Sequence, residues 1–194
     1  MTAQVGDRFI YKGNNYSVVA MNNPIQFNPV NYGIKPVACC SACWNGYWCD
    51  YHISTKGIML QNLYINSEDD YYPEINNVSP EKKGKKSFQY MGHHLYRNIN
   101  IFMDYTGKIL IGKGFIKEYY VHMGYQSAWA YEVLVELIFD KGELIKTIDH
   151  SEMAEKLRIE LENRKEESEK TRENIQLFVE ECFSLEMKDK AWWI

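Results

Sequence analysis

At 194 residues, with 45% hydrophobic and 25% charged side chains, the chain has the make-up of one globular domain plus an appendage, which excludes a disordered or fibrous class. A formal net charge of -4, from 22 basic and 26 acidic residues, provides no global positive field for a phosphate backbone, so nucleic acid is not the expected partner. No run approaches the roughly 20 apolar residues of a membrane-spanning helix, and the opening MTAQVGDRFIYKG lacks the basic start and apolar run of a signal peptide, so no membrane partner and a cytoplasmic location are expected.

The 15 tyrosines favour pleated, half-buried surfaces or contact surfaces where an apolar ring and a polar tip are both useful. Cys39, Cys40, Cys43 and Cys49 crowd together and the total of five is odd, which does not suit a disulfide framework.

In chain order, Phe9 and Tyr11 precede a Lys12-Gly13-Asn14-Asn15 break, after which Tyr16, Val18 and Ala20 alternate; this predicts a β-hairpin. Residues 22–36 carry Pro24, Pro29, Gly33 and Pro36, and predict a structured loop, because proline cannot donate to a ladder. In CCSACWNGYWCDYHI, Asn45-Gly46 predicts a tight turn or a bulge. Gly57–Ile65 predicts a short strand. Residues 67–94 lack sustained periodicity and predict a long insertion loop, a place to look for a contact surface or a tolerated insertion.

From Arg97 to Ile148 the pattern predicts strands separated at Tyr105-Thr106-Gly107-Lys108 and at Gly112-Lys113-Gly114. In YEVLVELIF, Tyr131, Val133, Val135, Leu137 and Phe139 fall on one face, with Glu132, Glu136 and Asp140 on the other, the signature of a half-buried strand. Asp140-Lys141-Gly142-Glu143 turns the chain into LIKTI. Short strands with turn signals and no interleaved helices predict an antiparallel β-sandwich or barrel-like domain over 1–148.

Asp149 followed by Glu152 resembles a capping box, and neither glycine nor proline occurs from there on, so 149–194 is expected to be a C-terminal helical extension. The fold class is therefore mainly β, α+β overall. Met153, Leu157 and Leu161 form a narrow apolar stripe for packing on the β domain. Residues 162–174 have no apolar side chain, yet Ile175, Phe178, Val179 and Cys182 resume a stripe, and the chain ends Trp192-Trp193-Ile194. Mixed charges along the helix predict supporting pairs such as Glu152 with Lys156.

Three side-chain groups bear on chemistry. Cys40, Cys43, Cys49 and His52 have the residue types of a zinc knuckle, set against buried thiols among strand aromatics; Cys40 and Cys43 also have the spacing of a redox pair, outside the usual βαβ context. If FIKEYYVHM is a strand, Glu118, Tyr120 and His122 share a face and combine carboxylate, phenol and imidazole for acid–base work, or form a solvated face with one histidine. Gly107–Lys113 imitates the start of a phosphate-binding loop, but Gly114 replaces the hydroxyl residue and the interior reads as strand. His93-His94 and Asp69-Asp70 are adjacent and point apart, and Lys82, Lys83, Lys85 and Lys86 are offset by nearby acids.

The sequence thus leads to a non-enzymatic, intracellular protein-binding module of bacterial or phage immunity or antitoxin type. It would act on a protein partner, or self-associate, through aromatic loops and the C-terminal helix. The contact residues expected are Trp44, Tyr47, Trp48, Tyr71, Tyr72, Phe178, Trp192 and Trp193. The alternatives are a small-ligand barrel or enzyme using Glu118, Tyr120 and His122, and a zinc-stabilised module; no cofactor is otherwise expected.

Overall fold

Two-residue turns establish the hairpins at both ends of the domain. Lys12 (φ 49°) and Gly13 (φ 74°) join β1 (Arg8–Tyr11) to β2 (Asn14–Met21), and Lys141 (φ 48°) and Gly142 (φ 83°) join β8 (Tyr131–Asp140) to β9 (Glu143–Asp149). Two successive positive φ values give the type I′ twist that matches paired strands. The remaining strands are β3 (Tyr47–Ser54), β4 (Gly57–Ile65), the two-residue β5 (Glu81–Lys82), β6 (His94–Met103) and β7 (Gly107–Phe115), and β9 leads into helix α1 (Ser151–Ser168). The computed structural model describes residues 5–38, 40–82, 94–120 and 126–168, with side chains as far as 163.

The strands form one sheet in the order β5-β6-β4-β3-β1-β2-β7-β8-β9. The mainly β domain with a helix after it matches the expected class. The expectation of a wholly antiparallel sheet is corrected at one place: β1 pairs parallel with β3, Arg8 beside Asp50 and Phe9 beside Tyr51. The long connection over residues 22–46 leaves β2 and re-enters on the other side of β1, which makes that direction possible.

Only Asp104, Tyr105 and Thr106 separate β6 from β7, although four strands lie between them in the sheet. The sheet must therefore curl so that its two halves face one another. Gly57, in the β3–β4 turn, abuts the Gly142 carbonyl of the β8–β9 turn, and the Tyr11 and Thr147 hydroxyls meet at 3.3 Å. The curl stops short of a closed barrel.

The concave face holds the main core: Phe9 and Tyr11 from β1, Tyr51 and Ile53 from β3, Leu60 and Leu63 from β4, Ile109 and Ile111 from β7, and Leu137 and Phe139 from β8. A bulge at Gln61 shifts the register from Leu60–Tyr51 to Asn62–Asp50, which lets Leu60 and Leu63 both face inward. The connection over 22–46 plugs one end with Ile25, Phe27, Tyr32 and Ile34. Within it a short 3₁₀ turn (Pro29–Tyr32) is started by the Asn28 side chain, which accepts from Val30 N–H, and ended by Gly33 at φ 78°.

Four local expectations are corrected. Gly112-Lys113-Gly114 does not divide two strands but lies inside β7; the missing side chain at Gly112 makes room for the Tyr131 ring, and Glu132 lies over Gly114. Residues 116–120 of FIKEYYVHM do not continue a strand: β7 ends at Phe115 and Lys117–Tyr119 form a 3₁₀ turn, while residues 121–123 lie outside the described residues. Glu136 does not face solvent but is 4% exposed, because α1 and the turn Ala128–Ala130 cover the convex face of β8.

The helix, finally, docks by a shifted stripe, which keeps Leu157 and Leu161 but has Ala154 in place of Met153. Met153 is 44% exposed whereas Ala154 is fully buried, with Leu157, Arg158 and Leu161 half-buried beside it. Arg158 Nη1 donates to the carbonyls of Trp129 (3.0 Å) and Tyr131 (2.9 Å), and the Tyr119 hydroxyl donates to Glu162. At the helix start Asp149 accepts from Ser151 N–H (2.9 Å), while Glu152 pairs with Lys156 at 2.7 Å as expected.

Candidate functional site

Strand alternation sends Cys49, Tyr51 and Ile53 into the core and Trp48, Asp50 and His52 to the convex face. The registers then assemble a polar platform there. Trp48 lies opposite Tyr64 and Asp50 opposite Asn62 across β3–β4, while the parallel β1 sets Arg8 beside Asp50. Asp50 is 3% exposed and receives Arg8 Nε (2.7 Å), Arg8 Nη2 (2.9 Å), Asn62 Nδ2 (3.0 Å) and the Tyr64 hydroxyl (3.1 Å). The Arg8 guanidinium also lies over the Trp48 ring at 5.0 Å. Burial works against its charge, but the Asp50 carboxylate outweighs that and raises its pKa. A carboxylate with four donors and a fork-shaped cation is a rigid, neutralised unit rather than a poised acid or base.

Above this platform, the loops before β3 and after β4 are laced into one surface. Val37 N–H donates to Asn66 O, Asn66 N–H to Gly46 O, and Glu68 N–H to Lys35 O, at 2.9 to 3.1 Å. Gly46, at φ 73°, must remain free of a side chain because a Cβ there would enter the Val37 backbone. Tyr71 packs against Gly33 and the Tyr72 hydroxyl accepts from Ser67 N–H. Trp44 is 71% exposed and Tyr71 56%, on backbone held by these bonds. The same loops carry exposed Val30 and Val37 and, flanking Tyr71 in the chain, the acids Glu68, Asp69, Asp70 and Glu74; Lys35 reaches Asp69 at 3.9 Å.

The other expected contact residues have structural duties. Trp48 is 5% exposed and stacks on Tyr64. Tyr47 packs edge-on to Phe27 and donates to its carbonyl. Tyr72 is half-buried, its ring 3.6 Å from that of His94. Phe178, Trp192 and Trp193 lie outside the described residues.

Cys40, Cys43, Cys49 and His52 are not brought together as one set of four. Cys43 belongs to a small convex-face cluster with Trp48, Tyr64 and Leu95, Cys49 to the main core, and His52 to the opposite face of β3 from Cys49. Among the described residues no group of three His, Cys, Asp or Glu side chains is placed to hold a metal ion. Burial pushes the Cys49 thiol well above its usual pKa. Beneath it Asp7 accepts the Cys49 N–H at 2.8 Å, and burial raises the Asp7 carboxyl to about 6 in spite of that bond.

Glu118 and Tyr120 are exposed on and after the 3₁₀ turn, and His122 lies outside the described residues. A shallow cleft of about 160 Å³ between β2 and β7 is lined by Arg8, Ser17, Gly112 and Tyr131 among others, but by neither Glu118 nor Tyr120. Sequence reasoning missed Arg8, Asp50 and Asn62; an acid inside the aromatic run WCDY was the available signal. It also missed Glu136, which lies 2.7 Å from His150 Nε2 and 3.4 Å from Lys108 Nζ.

No protein-family model, no curated protein and no solved structure matches this chain.

Proposed function

We propose that this chain is a protein-binding module that docks through the laced loops at the end of its sheet. The observation that carries the reading is that Trp44 and Tyr71 are each more than half exposed on loops whose backbone is fixed by inter-loop hydrogen bonds. Large aromatic side chains held in place lose little entropy on contact and are the residues that most often anchor interfaces. Glu68, Asp69, Asp70 and Glu74, which flank Tyr71 in the chain, suit a partner that offers apolar pockets with a basic rim. By sequence, Ile175, Phe178, Trp192 and Trp193 supply a second apolar group for the same partner or for a second copy.

The test is photo-crosslinking from position 71, with a photoreactive phenylalanine in place of Tyr71, in cells of the organism that encodes the chain. A discrete adduct lost on Trp44→Ala, with unfolding behaviour unchanged, supports the reading. An adduct pattern indifferent to Trp44→Ala overturns it. Light scattering on the full chain and on a chain ended at 174 separates self-association from a foreign partner.

A further inference from the structure

The CxxC segment beside Trp44 is a turn whose two cysteines pair through their backbones. Cys43 N–H donates to Cys40 O at 3.1 Å, and the two residues form an antiparallel bridge. Residues so paired have Cα atoms about 5.5 Å apart, inside the roughly 4.4 to 6.8 Å range that a disulfide spans. Cys40 is exposed, whereas Cys43 is 3% exposed and directs its thiol toward Tyr47 O at 3.8 Å. One cysteine of the turn therefore lies on the surface, and the other is sheltered.

We propose that Cys40 and Cys43 form a reversible redox pair that closes a disulfide across this turn. With a low-molecular-weight disulfide as oxidant, the Cys40 thiolate attacks one sulfur and releases one thiol, leaving a mixed disulfide on Cys40. The Cys43 thiolate then attacks Cys40 Sγ and releases the second thiol. The protein loses two protons and two electrons, and the oxidant is reduced to two thiols. Closing the bridge removes the Cys43 donor from Tyr47 O and fixes both ends of the turn that carries Trp44 as its next residue. Cys49 stays outside the exchange because it is fully buried in the main core. The inference does not depend on a partner for Trp44.

The experiment equilibrates the purified full chain in glutathione buffers of graded oxidation, alkylates it, and maps the cysteines by tandem mass spectrometry. The expected result is a loss of about 2 Da with Cys40 and Cys43 leaving the alkylated pool together. Cys39→Ser should keep the transition, and Cys40→Ser, at an exposed position, should abolish it. Amide exchange at Cys43 and Gly46 should slow by a factor on the order of ten in the oxidised form, as expected for closure of so short a loop. A bridge from Cys39 in place of Cys40, or full alkylation of both cysteines in fully oxidised glutathione, overturns the proposal.

Discussion

Trp48 and Tyr64 stack face to face across β3–β4, 3.6 Å between centroids and 7° from parallel. Arg8 from β1 covers the Trp48 ring and grips Asp50. The stack and the ion pair form one unit, in which the aromatic rings shield a carboxylate that Arg8 neutralises. Arg8→Met keeps the apolar stem and removes the charge. It is expected to destabilise the fold by about 2–3 kcal/mol, at or below the bottom of the roughly 3–5 kcal/mol range for breaking a fully buried pair, because Arg8 is 45% exposed. Asp50→Asn should cost less, and the double variant should be more stable than the sum of the two losses implies, by roughly 1–2 kcal/mol. Urea unfolding of the three variants checks the cycle; strict additivity refutes the coupling.

Asp7 makes the fold less stable as pH rises. Its folded pKa is raised to about 6 from 3.8, chiefly by burial. An acid so raised holds its proton more tightly in the folded chain, so its contribution is most favourable below about pH 4 and is lost as pH rises through about 6. Asp7→Asn keeps an acceptor for the Cys49 N–H and cannot ionise. The variant should gain on the wild type as pH rises from 4 to 7. The gap should reach about 1–2 kcal/mol, less than the full shift implies because Asp7 is half-buried. Unfolding midpoints at pH 4.5, 5.5 and 7 give the measurement, and a gap independent of pH excludes Asp7 as the source.

What the sequence makes legible is local. Gly13 and Gly142 announce their turns because the second position of each has a positive φ that glycine adopts freely, and Gly57–Ile65 is the strand its pattern predicts. What it hides is set by neighbours distant in the chain. Gly112 and Gly114 read as strand breakers, but they accommodate Tyr131 and Glu132 from the adjacent strand. Alternation puts Glu136 on the solvent face of β8 until α1 covers it. Arg8 and Asp50 meet only because β1 runs parallel to β3, a direction that no local pattern encodes. The exposed contact aromatics are legible in part, since burial alone separates Trp44 and Tyr71 from Trp48, Tyr47 and Tyr72.

Helix α1 is held more by polar clamps than by apolar area. Ala154 is its one fully buried side chain among those described, and Arg158 bonds two carbonyls of the covering segment. Arg158→Ala should leave the Trp129 and Tyr131 carbonyls without that donor and loosen the helix by about 1.5–3 kcal/mol. The core of β3 and β4 should be unaffected. Hydrogen exchange resolves the two: faster exchange at residues 154–162 with unchanged protection at Tyr51 and Leu63 is the expected pattern. Equal acceleration in both regions contradicts a separately opening helix.

The Gly57–Gly142 contact is the place where the curled sheet meets itself, and glycine is required there for two reasons at once. Gly57 has φ 118° and Gly142 φ 83°, a region costly for a side-chain-bearing residue. A Cβ on Gly57 would also collide with the Gly142 carbonyl oxygen, and one on Gly142 with the Phe102 ring. Gly13 provides the internal control: its φ of 74° is similarly positive, but nothing lies within 4 Å of its Cβ position. Gly13→Ala should therefore cost only the backbone term, about 1 kcal/mol. Gly57→Ala adds the overlap of two turns that cannot separate without uncurling the sheet, and should cost upward of about 3 kcal/mol. Denaturant unfolding compares them directly. Equal losses would mean that the two halves of the sheet part there at little cost.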